Sequence, residues 1–232
     1  MISILINTFN DQSDWLKQTI KSYIQQDIEK QVLICCLPSD SNIEMLKNYP
    51  IELVLCNENE HPGKSIEGVY YQINKAIEKV KGDWFCLMSG NDFSDATKLF
   101  TERECCQDKN KLICYSDFFE VDEWGNIKGV RKFPPYDYEK HLTLGNFVSD
   151  AAMIHTSLLK KYAPFRVEEF GNYAHWDFWL RIYEGEGNVF HHNQLPTWFY
   201  RQHKSASHMN RTPEEKEKLQ LLKEKMLCRE KK

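Results

Sequence analysis

The segment Ala174-His175-Trp176-Asp177-Phe178-Trp179-Leu180-Arg181 puts an imidazole and a carboxylate at the head of an apolar run, and Tyr200-Arg201-Gln202-His203-Lys204-Ser205-Ala206-Ser207 puts a guanidinium and a second imidazole after an aromatic one. An imidazole titrates near ~6.5, which suits a general base close to neutrality. Imidazole and carboxylate also ligate divalent metals, and a guanidinium binds phosphate through its planar fork. Placed after a half-chain that alternates strands and helices, the two segments imply an enzyme acting on a phosphorylated substrate. His191-His192 is set aside as a strand end, because adjacent residues of a strand point to opposite faces and make a poor bidentate site.

The elements that must carry these groups are read from apolar periodicity. Ile2–Ile6 is a short apolar strand closed by Asn7-Thr8-Phe9-Asn10. Ser13–Gln26 carries Trp15, Leu16, Ile20, Tyr23 and Ile24 at helical spacing, with Ser13 as N-cap. Val32–Leu37 is a second strand, followed by the turn Pro38-Ser39-Asp40-Ser41 and a short helix around Ile43, Leu46 and Tyr49. Ile51–Cys56 is a third strand, Ser65–Lys81 an amphipathic helix ended by Gly82, and Trp84–Met88 a fourth strand followed by Ser89-Gly90-Asn91-Asp92. Strands apolar throughout, alternating with helices, predict a parallel sheet covered on both faces. Ligands of such sheets bind at the carboxyl ends of the strands, where Thr8 to Asn10, Ser39 to Ser41 and Ser89 to Asp92 fall.

The second half is more aromatic and less regular. Leu112–Tyr115 and Phe118–Val121 flank Ser116-Asp117, a hairpin turn is expected at Trp124-Gly125-Asn126, and Met153-Ile154 and Ser157–Tyr162 read as a short strand and a short helix. Trp176, Trp179, Leu180 and Tyr183 mark a further helix. Thr212-Pro213-Glu214-Glu215 has the form of a capping box with proline at the first helical position. The Lys/Glu-rich helix behind it has a narrow stripe of Leu219, Leu222 and Met226, which suits self-association or docking, with a membrane-surface helix as the alternative. The expected organisation is one domain over 1–211, with a regular first half (1–110) and a less regular second half (111–211), followed by a charged helix at 212–232.

Hydrophobic residues make up 41% and charged residues 28%, the composition of an ordinary globular chain, and the net charge of −4 argues against sequence-independent nucleic-acid binding. No apolar run approaches the ~20 residues of a membrane span, and the N-terminus lacks the basic and small-residue features of a signal peptide. Of the eight cysteines none forms a CxxC, and Cys35, Cys36, Cys56, Cys86 and Cys114 lie in apolar runs; buried reduced thiols of a cytoplasmic protein are expected, with peripheral attachment to a membrane as the alternative location.

In this order the segments resemble a family 2 glycosyltransferase of the GT-A fold, polysaccharide-biosynthesis type, over residues 2 to about 207. Ser3-Ile4-Leu5-Ile6-Asn7-Thr8-Phe9-Asn10 resembles the family's first strand and nucleotide loop. Gly68-Val69-Tyr70-Tyr71-Gln72-Ile73-Asn74-Lys75-Ala76, with Lys81-Gly82-Asp83-Trp84, resembles the helix before the metal strand. Leu87-Met88-Ser89-Gly90-Asn91-Asp92-Phe93 stands where the metal-binding motif belongs, and Cys114-Tyr115-Ser116-Asp117 with Val121-Asp122-Glu123-Trp124-Gly125-Asn126 matches the family's hairpin. His175–Arg181 and Tyr200–Ser207 match the catalytic helix and the closing motif.

The resemblance implies an α/β fold with a mostly parallel Rossmann-like central sheet, helices on both faces, a smaller acceptor-side region and a C-terminal helix. It implies transfer of a sugar, with inversion, from a UDP-, GDP- or dTDP-sugar to a hydroxyl of a glycan, lipid-linked or protein acceptor. Thr8, Asn10, Asp40, Asn74, Lys75, Asn91 and Arg201 become the candidate nucleotide-sugar contacts, Asp40 towards the nucleobase and Arg201 towards the diphosphate or as a structural ion pair. Asp92 and His203 become candidate ligands for Mn2+ or Mg2+. Two departures stand out. The metal loop reads Ser-Gly-Asn-Asp, in which Asp92 supplies one carboxylate and Asn91 only a neutral carbonyl, so metal binding is expected to be weak or nucleotide-dependent. The family's base position, counted back from Arg181, holds His175, with an acid two residues on at Asp177; both remain candidates, Asp177 also as the i, i+4 partner of Arg181.

Three readings rival a transferase; one, a sugar-nucleotide pyrophosphorylase, shares the architecture but would want a Gly-rich loop with Arg or Lys after the first strand, and Asn7 to Asp11 has none. A GT-A domain that binds nucleotide or glycan without transfer is supported by the same two departures. A methyltransferase or dehydrogenase is disfavoured because no GxGxxG follows the first strand.

Overall fold

The computed structural model describes residues 1–61, 66–204 and 213–228. Its strands are β1 (Ile2–Asn7), β2 (Lys30–Cys36), β3 (Glu52–Leu55), β4 (Trp84–Ser89), β5 (Phe93–Ser94), β6 (Ile113–Val121), β7 (Ile127–Arg131), β8 (Met153–His155) and β9 (Phe190–Arg201). Its helices are α1 (Ser13–Ile24), α2 (Ile43–Leu46), α3 (Ile66–Ala76), α4 (Lys98–Asp108), α5 (Tyr138–Leu144), α6 (Thr156–Tyr162), α7 (Val167–Phe170), α8 (Ala174–Glu186) and α9 (Pro213–Leu227). One sheet runs β3-β2-β1-β4-β8-β6-β9-β5, with β7 paired to β6. β1 to β4 are parallel neighbours, β8 is antiparallel to both β4 and β6, and β9 is parallel to β6.

The continuous apolar strands are buried on both faces. Along β1 the pleat sends Ile2, Ile4 and Ile6 to one face, where they pack with Leu16, Ile20 and Tyr23 of α1 and Leu99 and Cys106 of α4. Leu5 goes to the other face, with Tyr70 and Ile73 of α3, Leu158 of α6 and Phe178 and Trp179 of α8. Cys35, Cys36, Cys56, Cys86 and Cys114 are all buried in these two layers. The sheet with helices on both faces is the architecture expected from the sequence.

Several details differ. The N-cap of α1 is Gln12, and Ser13 is already helical with no capping side-chain bond at this end. The helix expected up to Lys81 stops as α-helix at Ala76 and tightens into a 3-10 turn at Ile77–Lys79. Leu112–Tyr115 and Phe118–Val121 are parts of one strand, β6, in which Ser116 and Asp117 are buried and the register against β9 shifts between Ser116 and Phe118. The turn at Trp124-Gly125-Asn126 joins β6 to β7 as read, with Gly125 at φ +91°, a conformation that favours glycine. At the C-terminal helix, Lys225 Nζ donates to the Glu169 carbonyl (3.0 Å) and stands 5.4 Å from the Phe170 ring centre, so α9 docks on α7 of its own chain. Thr212 and the side chains of Leu219, Leu222 and Met226 lie outside the described residues, as do Ser205 to Ser207.

Candidate active site

The sheet makes the site by leaving a gap. β8 pairs with β4 only along Trp84–Cys86 and with β6 only along Ile113–Cys114. Beyond it the carboxyl-end halves of β4 and β6 have no strand between them, and a cavity of about 360 Å3 opens there. Ser89, Asn91 and Asp92 line it from the end of β4, Trp198 and Tyr200 from β9, and His175 from the head of α8. Gly90 lets the β4 loop fold back over β1: its N–H donates to the Asn7 carbonyl (2.9 Å), and a Cβ there would lie 2.7 Å from Asp11 Oδ2 and 3.1 Å from Asn7 O.

Asp92 is buried, with its Oδ1 accepting the backbone N–H of Arg201 at 2.8 Å. Burial pushes its carboxyl up to about 7, against the pull of that N–H and of the Arg201 charge. Asn91 lies beside it with Nδ2 2.6 Å from His203 Nε2, while its buried Oδ1 has no hydrogen-bond partner among the described residues. His203 packs on Trp15, ring centres 4.8 Å apart. The structure thus gathers Asn91, Asp92, Arg201 and His203 at one end of the cavity.

The two base candidates separate cleanly. His175 stacks on Tyr70 (5.6 Å between centres, 13° between planes), and its Nε2 lies 4.0 Å from Asp150 Oδ1. Asp177, two residues on, is completely buried on another face of α8. Its carboxylate accepts from Arg166 Nε (2.8 Å) and Nη2 and from Arg181 Nε (2.8 Å), and Arg181 goes on to donate to the carbonyls of Tyr162 and Pro164. Successive helical residues point ~100° apart, so α8 presents His175 to the cavity and turns Asp177 into a structural ion-pair cluster.

The remaining candidates divide. Thr8, Asn10 and Asp40 come together where the β1 and β2 loops meet. Asn10, at φ +52°, donates its N–H to Asp40 Oδ2 (2.8 Å), and its Oδ1 accepts from Ser41 N (2.8 Å). Asp40 Oδ1 also accepts from Asn42 N and Nδ2 at 2.9 and 3.1 Å, so much of its capacity is used in bracing the loops. The hydroxyl of fully buried Thr8 has no partner among the described residues. Asn74 is not brought to this site: its amide bonds both N–H and C=O of Phe165 at 2.8 Å. Lys75 pairs with Glu60 at 3.2 Å on the surface. Arg201 reaches the cavity wall, but its guanidinium donates to the carbonyls of Asn91 and Glu123 (2.8 Å each) and to Gln18 Oε1 (2.6 Å), between the rings of Trp15 and Phe93. It is a strut joining the β4 loop to the β6–β7 hairpin, with little left for a diphosphate.

Sequence reasoning missed Asp150 and the aromatic wall. Asp150 lies in the turn three residues before β8, a strand that runs against β4 and so has its beginning near the carboxyl end of β4. A polar residue just before a buried strand that must enter the sheet in reverse was the available signal.

A divalent cation fits this loop only in part. The donors are the Asp92 carboxylate and the unpartnered Asn91 Oδ1, with His203 Nε2 already facing the Asn91 amide. Among the described residues no three His, Cys, Asp or Glu side chains form a metal cluster. Such a set suits a hard cation that takes its other oxygens from a bound diphosphate and water.

No family model matches the chain. A protein of Methanocaldococcus jannaschii named as an uncharacterized glycosyltransferase is 22% identical over 198 residues, covering 78% of this chain and 64% of that protein. The chain therefore spans just under two thirds of that relative's length. Among solved structures, Staphylococcus aureus TarS (residues 1–349) in complex with UDP superposes with a TM-score of 0.68 at 16% identity, covering 97% of this chain and 64% of that one. Its complex with UDP-GlcNAc gives 0.66 at 14%, covering 95% and 65%. The mannosyltransferase PcManGT from Pyrobaculum calidifontis, in complex with GDP-Man and Mn2+, gives 0.58 at 10%, covering 97% and 69%. The chain has the GT-A fold of these glycosyltransferases, the fold that its motifs implied.

Proposed function

We propose that the chain transfers a sugar from a nucleotide-sugar donor to a hydroxyl acceptor with inversion, and that His175 is the base. The supporting observation is the placement of His175: its imidazole opens into the cavity that also holds Asn91 and Asp92, while Asp177, the only other base candidate on α8, is sealed by two arginines. Relatives with bound UDP, UDP-GlcNAc or GDP-Man favour a nucleotide-sugar donor.

In this reading the nucleoside lies across Thr8, Asn10 and Asp40, and its diphosphate reaches the Asn91-Asp92 loop. The acceptor hydroxyl gives its proton to His175 Nε2 as its oxygen bonds to the anomeric carbon. The bond from that carbon to the diphosphate oxygen breaks on the opposite face, and the electron pair leaves with the nucleoside diphosphate. A divalent cation held by Asp92 and Asn91 would balance the charge of that leaving group. The acceptor class remains a glycan, a lipid-linked sugar or a glycoprotein glycan.

Thermal-shift and calorimetric titration with UDP-, GDP- and dTDP-sugars, each with and without Mn2+, tests the donor reading, since a ligand stabilises by mass action. At least one should bind, more tightly with Mn2+; no binding to any of them would end it. His175→Ala should then lower kcat about 10²–10⁴-fold, the usual worth of a general base, with nucleotide affinity retained. An unchanged kcat would remove His175 from the chemistry.

A further inference from the structure

Asp150 is the carboxylate of this cavity that the transfer step does not use. Its side chain is 56% exposed, in contrast to the buried Asp92 and Asp177. Its loop is nonetheless held firmly. Asn146 bonds both N–H and C=O of Val148 (3.1 and 2.7 Å), Ala152 N donates to the Ser149 carbonyl (3.1 Å), and fully buried Lys98 donates to the Ala151 carbonyl (2.8 Å). Tyr70 ties Asp150 to His175: its ring is the floor under the imidazole, and its hydroxyl is 3.5 Å from Asp150 Oδ1. A polar group pinned from several sides and facing a cavity is preorganised for a ligand.

The spacing and the charge say which ligand. His175 Nε2 and Asp150 Oδ1 are 4.0 Å apart, too far for a direct hydrogen bond. Two hydroxyls on adjacent ring carbons of one sugar can occupy the two positions, one facing each group. The described basic residues of the cavity lining are His175 and Arg201, and the guanidinium of Arg201 is taken by protein carbonyls and Gln18. Nothing among these groups would neutralise an anion beside Asp150. The walls contributed by Phe118, Trp198 and Tyr200 are aromatic, the surface that packs against the C–H face of a sugar ring.

Resting on the glycosyltransferase reading, we infer that Asp150 determines acceptor specificity: it accepts a hydrogen bond from the hydroxyl next to the one His175 deprotonates, and so selects an uncharged sugar over one bearing a carboxylate or phosphate elsewhere on the same ring, within a few ångströms of Asp150. The hydrogen bond rewards the neutral sugar, and like-charge repulsion across a few ångströms rejects the anionic one.

The test uses the full chain with its best nucleotide-sugar donor. The acceptor probes are p-nitrophenyl glucoside, galactoside, mannoside and N-acetylglucosaminide, with p-nitrophenyl glucuronide as the anionic counterpart. Acceptor and donor KM are measured, together with hydrolysis of the donor by water alone. The wild type should use at least one neutral glycoside about tenfold or more better than the glucuronide. Asp150→Asn, at an exposed position, should keep the thermal midpoint, donor KM and hydrolysis rate, and lose about 10–100-fold in kcat/KM for the neutral acceptor, the worth of a hydrogen bond to a charged group. It should also narrow the disadvantage of the glucuronide. Equal use of glucuronide and glucoside by the wild type would overturn the inference. So would an Asp150→Asn effect confined to donor KM, or hydrolysis with no transfer to any neutral glycoside. Absence of both transfer and hydrolysis with every donor would instead overturn the glycosyltransferase reading, and the inference with it.

Discussion

Replacing Asp177 should damage the fold and spare the chemistry, the reverse of what a catalytic base would show. An i, i+4 pair on an exposed helix is worth only a few tenths of a kcal/mol, and sequence spacing alone gives Asp177 no more than that. The structure raises the stake. Asp177 is fully buried and faces two guanidinium groups, Arg166 and Arg181, whose side chains are themselves only 21% and 14% exposed. Asp177→Asn removes the charge and leaves two partly buried cations facing each other across a neutral amide. Breaking a buried pair from one side costs ~3–5 kcal/mol. For a chain of this size that is a fall in thermal midpoint of roughly 6–20 °C, at about 2–4 °C per kcal/mol. The assay is a thermal or urea unfolding curve for Asp177→Asn and His175→Ala, beside kcat measured well below both midpoints. Asp177→Asn should unfold early and keep kcat within about threefold of wild type; His175→Ala should unfold near wild type and lose the 10²–10⁴-fold of a missing base. A wild-type midpoint for Asp177→Asn, or a larger kcat loss there than at His175, would refute the assignment of roles along α8.

Two further outcomes follow from buried charge. Burial raises the Asp92 carboxyl from 3.8 to about 7, so between those pH values the folded chain holds a proton that the unfolded chain has released, and this group weakens the fold as pH rises from about 4 to 7. A difference of roughly 3 units at 1.36 kcal/mol each makes about 4 kcal/mol. In metal-free buffer, Asp92→Asn should therefore match wild type near pH 4 and exceed it in urea unfolding by up to that amount at pH 8; parallel pH profiles would refute the shift. Lys98 and Glu102, both completely buried and 2.6 Å apart, form the second case. Lys98→Met alone should cost ~3–5 kcal/mol by stranding Glu102, and Lys98→Met with Glu102→Leu should recover most of it, because Ser116 and Thr197 can still bond each other (2.6 Å).

What the sequence made legible follows from which physical signals are local. β1, β2 and β4 carry unbroken apolar runs (Ile4–Ile6, Val32–Cys36 and Trp84–Met88) because both sheet faces are covered there, a pattern unlike the alternation of a half-exposed strand. The same rule points to Thr8, Asp40 and Asp92, which follow the carboxyl ends of β1, β2 and β4. It failed where the sheet stops being parallel. In β8 the cavity end is the strand's start, so Asp150 precedes its strand where Thr8, Asp40 and Asp92 follow theirs. The split reading of β6 has a related cause: Ser116 and Asp117 look like a turn, yet Ser116 bonds the buried Glu102 and Asp117 bonds His192 Nε2 (2.8 Å), partners that lie 14 and 75 residues away. The choice between His175 and Asp177 was undecidable from spacing alone, since either could face the cavity from the first turn of α8. Which of them faces away from the cavity turns on Arg166, a residue outside the helix with no periodic signature, which the stacking of its neighbour Phe165 on Phe178 (ring centres 4.3 Å apart) brings against α8. Polar residues buried by distant partners are where local reading of a sequence runs out, and in this chain they are also the residues that aim the site.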